Sequence, residues 1–290
     1  MNNYHVEKLS NKIKLIHPGM DYLLNRINFN QYFSLSKYSP EWWITLKVVM
    51  ENCRNKNKLR DYTYLAKNMI YAWEVLRKKG KTWGFYEEYT ENILKAFGEE
   101  VDGLLTGVGF CGSFSGRVKD DIFIQGSTKH RKSMVEAVHT IYNKKLTLYN
   151  TSFWKRWAVT GELNDFLTKI ERPITIVGPE YLDCTLKHYP VKIANFIGID
   201  STHAMKYIPE YEEKIVSSHN ENDNMVYIVQ GGGTMIYLVN KLHKKLKNKC
   251  IMDVGTSINI YSWKESRKPK SKLYNIDLLD WLKNKPAWIN

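Results

Sequence analysis

Six polar segments of the chain each follow a short apolar run, and they hold groups able to bind an anion, hold a metal or move a proton. In order they are Cys111-Gly-Ser-Phe-Ser-Gly-Arg117, Asn150-Thr-Ser-Phe-Trp-Lys-Arg-Trp157, Gly178-Pro-Glu180, Asp200-Ser-Thr-His203, Gly231-Gly-Gly-Thr234, and Asp253 followed by Gly255-Thr-Ser257. The fifth is the most informative. Gly231, Gly232, Gly233 and Thr234 stand between an apolar run and an amphipathic stretch, where backbone N–H groups at a helix start can hold a phosphate. Ser113 and Arg117 add a hydroxyl and a guanidinium, Lys155 and Arg156 add two cations, and Gly178 lets a backbone come close. Asp253, Asp200 and the pair Asp120–Asp121 are the carboxylates for Mg²⁺ or Mn²⁺, hard ions that take oxygen ligands and keep some water. Asp253 and Asp120 are the candidate metal ligands. Asp253, Asp200 and His203 are the candidate catalytic groups, His203 because an unperturbed imidazole is suited to general base work.

Each of these residues also has a structural reading. The triple glycine serves equally as a close-packing turn, Asp120–Asp121 as a solvated turn, and Asp200-Ser-Thr as a helix cap that leaves His203 in a first turn. Trp154 and Trp157 fit either a stacking platform or a core. The glycines do not match G-x-G-x-x-G, and the run has no Lys directly before Thr234 as a P-loop requires. No G-x-S-x-G elbow marks a serine hydrolase.

The elements that would position these turns alternate. Apolar runs at Leu104–Phe110, Leu146–Tyr149, Ile174–Val177, Ile193–Ile199, Val226–Val229 and Cys250–Val254 read as strands. Helical stretches lie near Lys129–Tyr142, Glu162–Ile170, His203–Ser218 and Met235–Lys247. That alternation predicts an α/β chain with a doubly wound, mainly parallel, Rossmann-like sheet. Ligands of such sheets bind beyond the carboxyl ends of the strands, where all six polar segments fall. Residues 1–100 read as a helical N-terminal extension, with helices starting at Ser39-Pro40-Glu41, spanning Leu59–Lys79, and spanning Phe85–Phe97. The core is expected over 101–264, and 265–290 reads as a basic, amphipathic tail.

Composition sets further limits. The 290 residues carry a net charge of +13, which calls for an anionic partner: a phosphorylated small molecule, an anionic membrane surface reached through the tail, or nucleic acid. No Arg-rich block, RNP motif or Cys/His finger is present, so nucleic acid is the weaker choice. The four cysteines are far apart, with no C-x-x-C, as in a reducing compartment, and no apolar run is long enough to span a bilayer. A cytoplasmic protein, with membrane-peripheral contact through the tail as a variant, is the expectation.

The ordered turns resemble those of the GT-D fold glycosyltransferases, which transfer sugars from nucleotide donors. The resemblance rests on Val226–Thr234, Met252-Asp253-Val254-Gly255 and Tyr261-Ser-Trp263, with Ile174-Thr-Ile-Val-Gly178 and Ile199-Asp-Ser-Thr-His-Ala204 in order before them. It implies a nucleotide-sugar donor, a glycan or glycoconjugate acceptor, and a metal-dependent site. An Arg-x-x-Asp-x-Glu motif holds the metal in that family. Here Arg117-Val-Lys-Asp120-Asp-Ile122 keeps the Arg and the Asp and has Ile in place of Glu, while Thr256 or Ser257 stands where the family often has His. The expected function is transfer of a sugar from a nucleotide diphosphate to a hydroxyl, the leaving charge offset by a metal on Asp253 or Asp120 or by fixed cations alone. The alternatives are a non-enzymatic nucleotide or phosphosugar module and a basic nucleic-acid or anionic-surface binder.

Overall fold

A computed structural model describes residues 4–53, 56–76, 87–110, 128–200, 204–220 and 224–264. They form one nine-stranded sheet. The strands are β1 (Tyr4–Lys8), β2 (Ile13–Pro18), β3 (Phe33–Tyr38), β4 (Leu104–Val108), β5 (Leu146–Asn150), β6 (Ile174–Pro179), β7 (Asn195–Ile199), β8 (Val226–Val229) and β9 (Cys250–Asp253). Their order across the sheet is β1-β2-β5-β4-β3-β9-β8-β6-β7. Only β1 is antiparallel, pairing with β2; every other neighbouring pair runs parallel.

Two hydrophobic cores cover the two sides of this sheet. On the first face pack α2 (Pro40–Asn52), α3 (Tyr62–Leu76), α4 (Glu87–Ala96), α5 (Thr128–Ala137), α8 (Ile208–Ser218) and α9 (Gly233–Lys245). On the second face pack α1 (Met20–Asn28), α6 (Phe153–Thr160), α7 (Glu162–Thr168) and the 3₁₀ segments Glu180–His188 and Gly255–Lys264. Alternate strand residues feed the two cores: Tyr227 and Val229 of β8 enter the first, Val226 and Ile228 the second. A strand buried on both faces must be apolar at nearly every position, which is why these runs were legible as strands without a polar alternation. Connections that move the chain one way across the sheet use the second face, and those that move it back use the first. This is the consistent hand expected of parallel crossovers.

The N-terminal region is more than helical. It supplies β1, β2 and β3 as well as α1 to α4, and β3 lies in the middle of the sheet between β4 and β9. The first hundred residues therefore complete the core rather than extend it. Strand β3 escapes a search for apolar runs because its sequence, FSLSKY, is half polar, yet all six residues are buried. Each polar group is accommodated. Ser34 Oγ bonds His243 Nδ1 at 2.9 Å, Ser36 Oγ donates to Leu105 O at 3.4 Å, and Lys37 Nζ donates to Val254 O at 3.3 Å. Helix α2 then starts where expected, with Ser39 as N-cap and Pro40 in the first helical position. Tyr38, Trp42, Trp43 and Phe97 form its aromatic packing, and Tyr38 donates its hydroxyl to Ile93 O at 3.1 Å.

Candidate functional site

Strand β3 runs into α2 on the first face, while β9 runs into the 3₁₀ segment Gly255–Lys264 on the second. The two exits part, which is the topology at which parallel sheets receive ligands at their carboxyl ends. Lys37 and Asp253 stand there. Lys37 is paired in register with the residue after Asp253, since Leu35 lies opposite Met252. Asp253 is only 2% exposed, and burial pushes its carboxyl up to about 7, against the pull of the Lys37 charge and of the Gly255 N–H that donates to Oδ1 at 2.8 Å. Gly255 is required here twice over. Its φ of +54° is left-handed, and a Cβ on it would lie 2.2 Å from Lys37 Nζ. The ammonium is thus seated directly on the backbone of the turn that follows Asp253.

The triple glycine follows β8, the neighbour of β9, with Val229 opposite Asp253. Gly232 is the N-cap of α9 at φ 57° and ψ −134°, a backbone region open to glycine alone. The first intrahelical bonds run from Met235 and Ile236 N–H to Gly232 O, so the N–H groups of Gly233 and Thr234 precede them. Gly231 has a packing role, because a Cβ there would meet Ile199 Cδ1 at 2.7 Å and Met235 Cγ at 2.9 Å. The turn is thus both a close-packing device and a helix start aimed at the strand ends.

Beyond this turn the second face carries a polar group that the sequence did not single out. Gln230 donates from Nε2 to Asn259 Oδ1 at 2.8 Å and to Tyr181 OH at 3.2 Å, and Tyr181 donates to Asn259 Oδ1 at 3.1 Å. Gln230 Oε1, Ser257 Oγ and Thr151 Oγ1 are buried with no hydrogen-bond partner among the described residues. Unpaired polar atoms are costly inside a protein, and a ligand or an ordered water is one way to satisfy them. A second group lies further along the same edge. Glu7 accepts from His17 Nε2 at 2.9 Å and from Arg131, and Asn150 Nδ2 donates to His17 Nδ1 at 3.2 Å. Burial holds His17 below the usual histidine range despite Glu7. Only their convergence in space reveals these groups, since their members come from distant parts of the chain.

The remaining expected residues are placed as follows. Lys155 is buried in the first turn of α6, and Arg156 pairs with Glu162 at 3.3 Å. Gly178 lies beneath Leu182, whose Cδ1 would be 2.9 Å from an added Cβ. Asp200 directly follows β7, three strands from β9 and Asp253, and its N–H donates to Tyr211 OH at 2.8 Å. At the usual strand spacing that separation is roughly 14 Å, so Asp200 and Asp253 do not share one centre. Trp154 and Trp157 belong to the second core, packed edge-on with Phe166 or tilted against it, and act as packing rather than as a platform. Ser113, Arg117, Asp120 and His203 lie outside the described residues.

The described residues do not suit a divalent ion at Asp253. Its carboxylate shares its surroundings with the Lys37 ammonium, and no group of three His, Cys, Asp or Glu that could hold a metal occurs among the described residues. The strand that borders Asp253 is β3, not β4.

Neither the family models nor the curated proteins give a match to this chain. Solved structures do. The structure of domain of unknown function 1792, with selenomethionine, aligns at TM-score 0.54 and 14% identity, over 88% of this chain and 82% of that one. A glycosyltransferase (DUF1792) from Streptococcus sanguinis aligns at TM-score 0.53 and 13% identity, over 86% and 84%. A third, described as a highly conserved domain with a distinct glycosyltransferase fold, aligns at TM-score 0.52 and 14% identity, over 88% and 82%. The chain has the DUF1792 fold. This agrees with the GT-D resemblance read from the order of the turns, and the fold match covers 88% of the chain, a larger share than that resemblance spans.

Proposed function

We propose that the protein transfers a sugar from a nucleotide-diphosphate donor to a hydroxyl of a glycan or glycoconjugate. The observation that carries this reading is the start of α9. A glycine-only turn opens a 13-residue helix directly beside the buried Asp253, at the edge where parallel sheets take nucleotides. Likeness to structures described as glycosyltransferases favours transfer over simple binding. In this reading the N–H groups of Gly233 and Thr234 receive the diphosphate, and the helix dipole favours its charge. Charge develops on the leaving diphosphate as the glycosidic bond breaks, so fixed donors there lower the barrier more than any other term. The hydrogen-bonding group of Gln230, Tyr181 and Asn259 lies next along the edge and would meet the hydroxyls or base of the same donor.

Thermal shift with UDP-, GDP- and dTDP-sugars tests the reading. One of these donors should raise the melting temperature, and Gly232→Val, which cannot adopt the observed backbone, should abolish the shift. Absence of a shift with every nucleotide sugar would sink the proposal.

A further inference from the structure

The seat of Lys37 carries the argument one step further, on the basis of the donor site just proposed. We infer that Lys37 is the fixed cation of that site, and that the site binds a nucleoside diphosphate without a divalent metal. Three independent features support this. The first is position. Lys37 is a buried lysine in the central strand of the sheet, beside β9, and these two strands send their chains to opposite faces. There it bonds Val254 O and lies within the field of the buried Asp253 carboxyl, so a cation is held in place at the strand end.

The second feature is the packing of the Lys37 side chain against the glycines near it. Two glycines border its path. A Cβ on Gly109 would lie 3.4 Å from Lys37 Cε, and a Cβ on Gly255 would lie 2.2 Å from Nζ. The head therefore rests on the turn after Asp253, donating to Val254 O at 3.3 Å. The third feature is register. Continuing the ladders beyond Leu35–Met252 and Val229–Asp253 puts Lys37, Val254 and Gln230, the residue before the triple glycine, in one row. Two strand spacings, about 10 Å, separate the backbones of Lys37 and Gln230. A diphosphate along this edge would have the α9 start on one side and an ammonium on the other. Both would offset its charge with no ion between them, and a metal at Asp253 would have to be held against that ammonium.

Isothermal titration with UDP, GDP and dTDP separates the possibilities, each in EDTA and in Mn²⁺. For the diphosphate that binds, the inference expects the same Kd in both buffers to within about twofold. Lys37→Gln should weaken it by tenfold or more, the usual size of one charge-assisted contact. Lys37→Arg should restore most of the loss, and binding of the matching nucleoside, which lacks phosphate, should be unchanged by either substitution. Because Lys37→Gln strands Asp253, the double variant Lys37→Gln/Asp253→Asn removes both buried charges and should show the same loss with a melting temperature closer to that of the unmodified protein. Binding that needs Mn²⁺ and is indifferent to Lys37→Gln overturns the inference and leaves the donor site standing. Binding of no nucleoside diphosphate in either buffer overturns both.

Discussion

Asp253 is the residue at which chemistry and stability meet. Its carboxyl is moved from an ordinary 3.8 to about 7 by burial, so between those values the folded chain holds a proton that the unfolded chain releases. The sign follows. Its contribution to stability is greatest below the unfolded value and is lost as pH rises through the folded one. Urea melts at pH 5 and pH 8 should therefore differ less in Asp253→Asn than in the unmodified protein, with the variant gaining relative stability at pH 8. An equal pH difference in both proteins would show that Asp253 does not titrate there. The opposing pull of Lys37 and the Gly255 N–H explains why the group is not driven higher still.

Helix α6 shows how an element takes a decision away from residue type. Its sequence, FWKRWAVT, follows a strand end and offers aromatics and cations together, which fits a stacking platform as well as a core. The pairing of α6 with α7 across Gly161 settles it. Gly161 has φ 93°, turns the chain, and lets Phe166 close over Trp154 and Trp157. Trp154→Ala should cost about 3–5 kcal/mol in stability, as for other large buried aromatics. Its effect on nucleotide affinity at a temperature where the variant is folded should stay within about twofold. A large, specific loss of nucleotide binding in a variant with normal stability would return Trp154 to the site.

At the scale of the whole molecule, the position of β3 decides how much chain the fold needs. A fragment of residues 101–264 would leave β4 and β9 without the strand between them, exposing backbone and apolar side chains on both. That fragment should lack a cooperative urea transition in circular dichroism, while residues 1–264 should keep one. A cooperative transition in the shorter fragment would mean that the N-terminal strands are dispensable. Likeness to the DUF1792 structures over 88% of the chain is consistent with a fold that includes these strands. Among the described residues no helix is long and apolar enough to cross a membrane.

The sequence by itself determined the strands β4 to β9, the helices between them other than α6, which it left as a polar turn, and the edge at which the polar turns gather. Strands β4, β6, β8 and β9 are almost unbroken apolar runs, because burial on two faces leaves little other choice, while β5 and β7 are partly exposed. It also determined the triple-glycine helix start, since a backbone open only to glycine announces itself as glycine. Tertiary structure alone decided that Asp253 meets Lys37, that Asp200 stands three strands away, and that Gln230, Tyr181 and Asn259 converge. The reason is the same in each case. A polar residue in a strand lowers the apolar signal by which strands are read, and what makes it tolerable is a partner brought from far along the chain. Lys37 is invisible as a site residue until β9 is laid beside it.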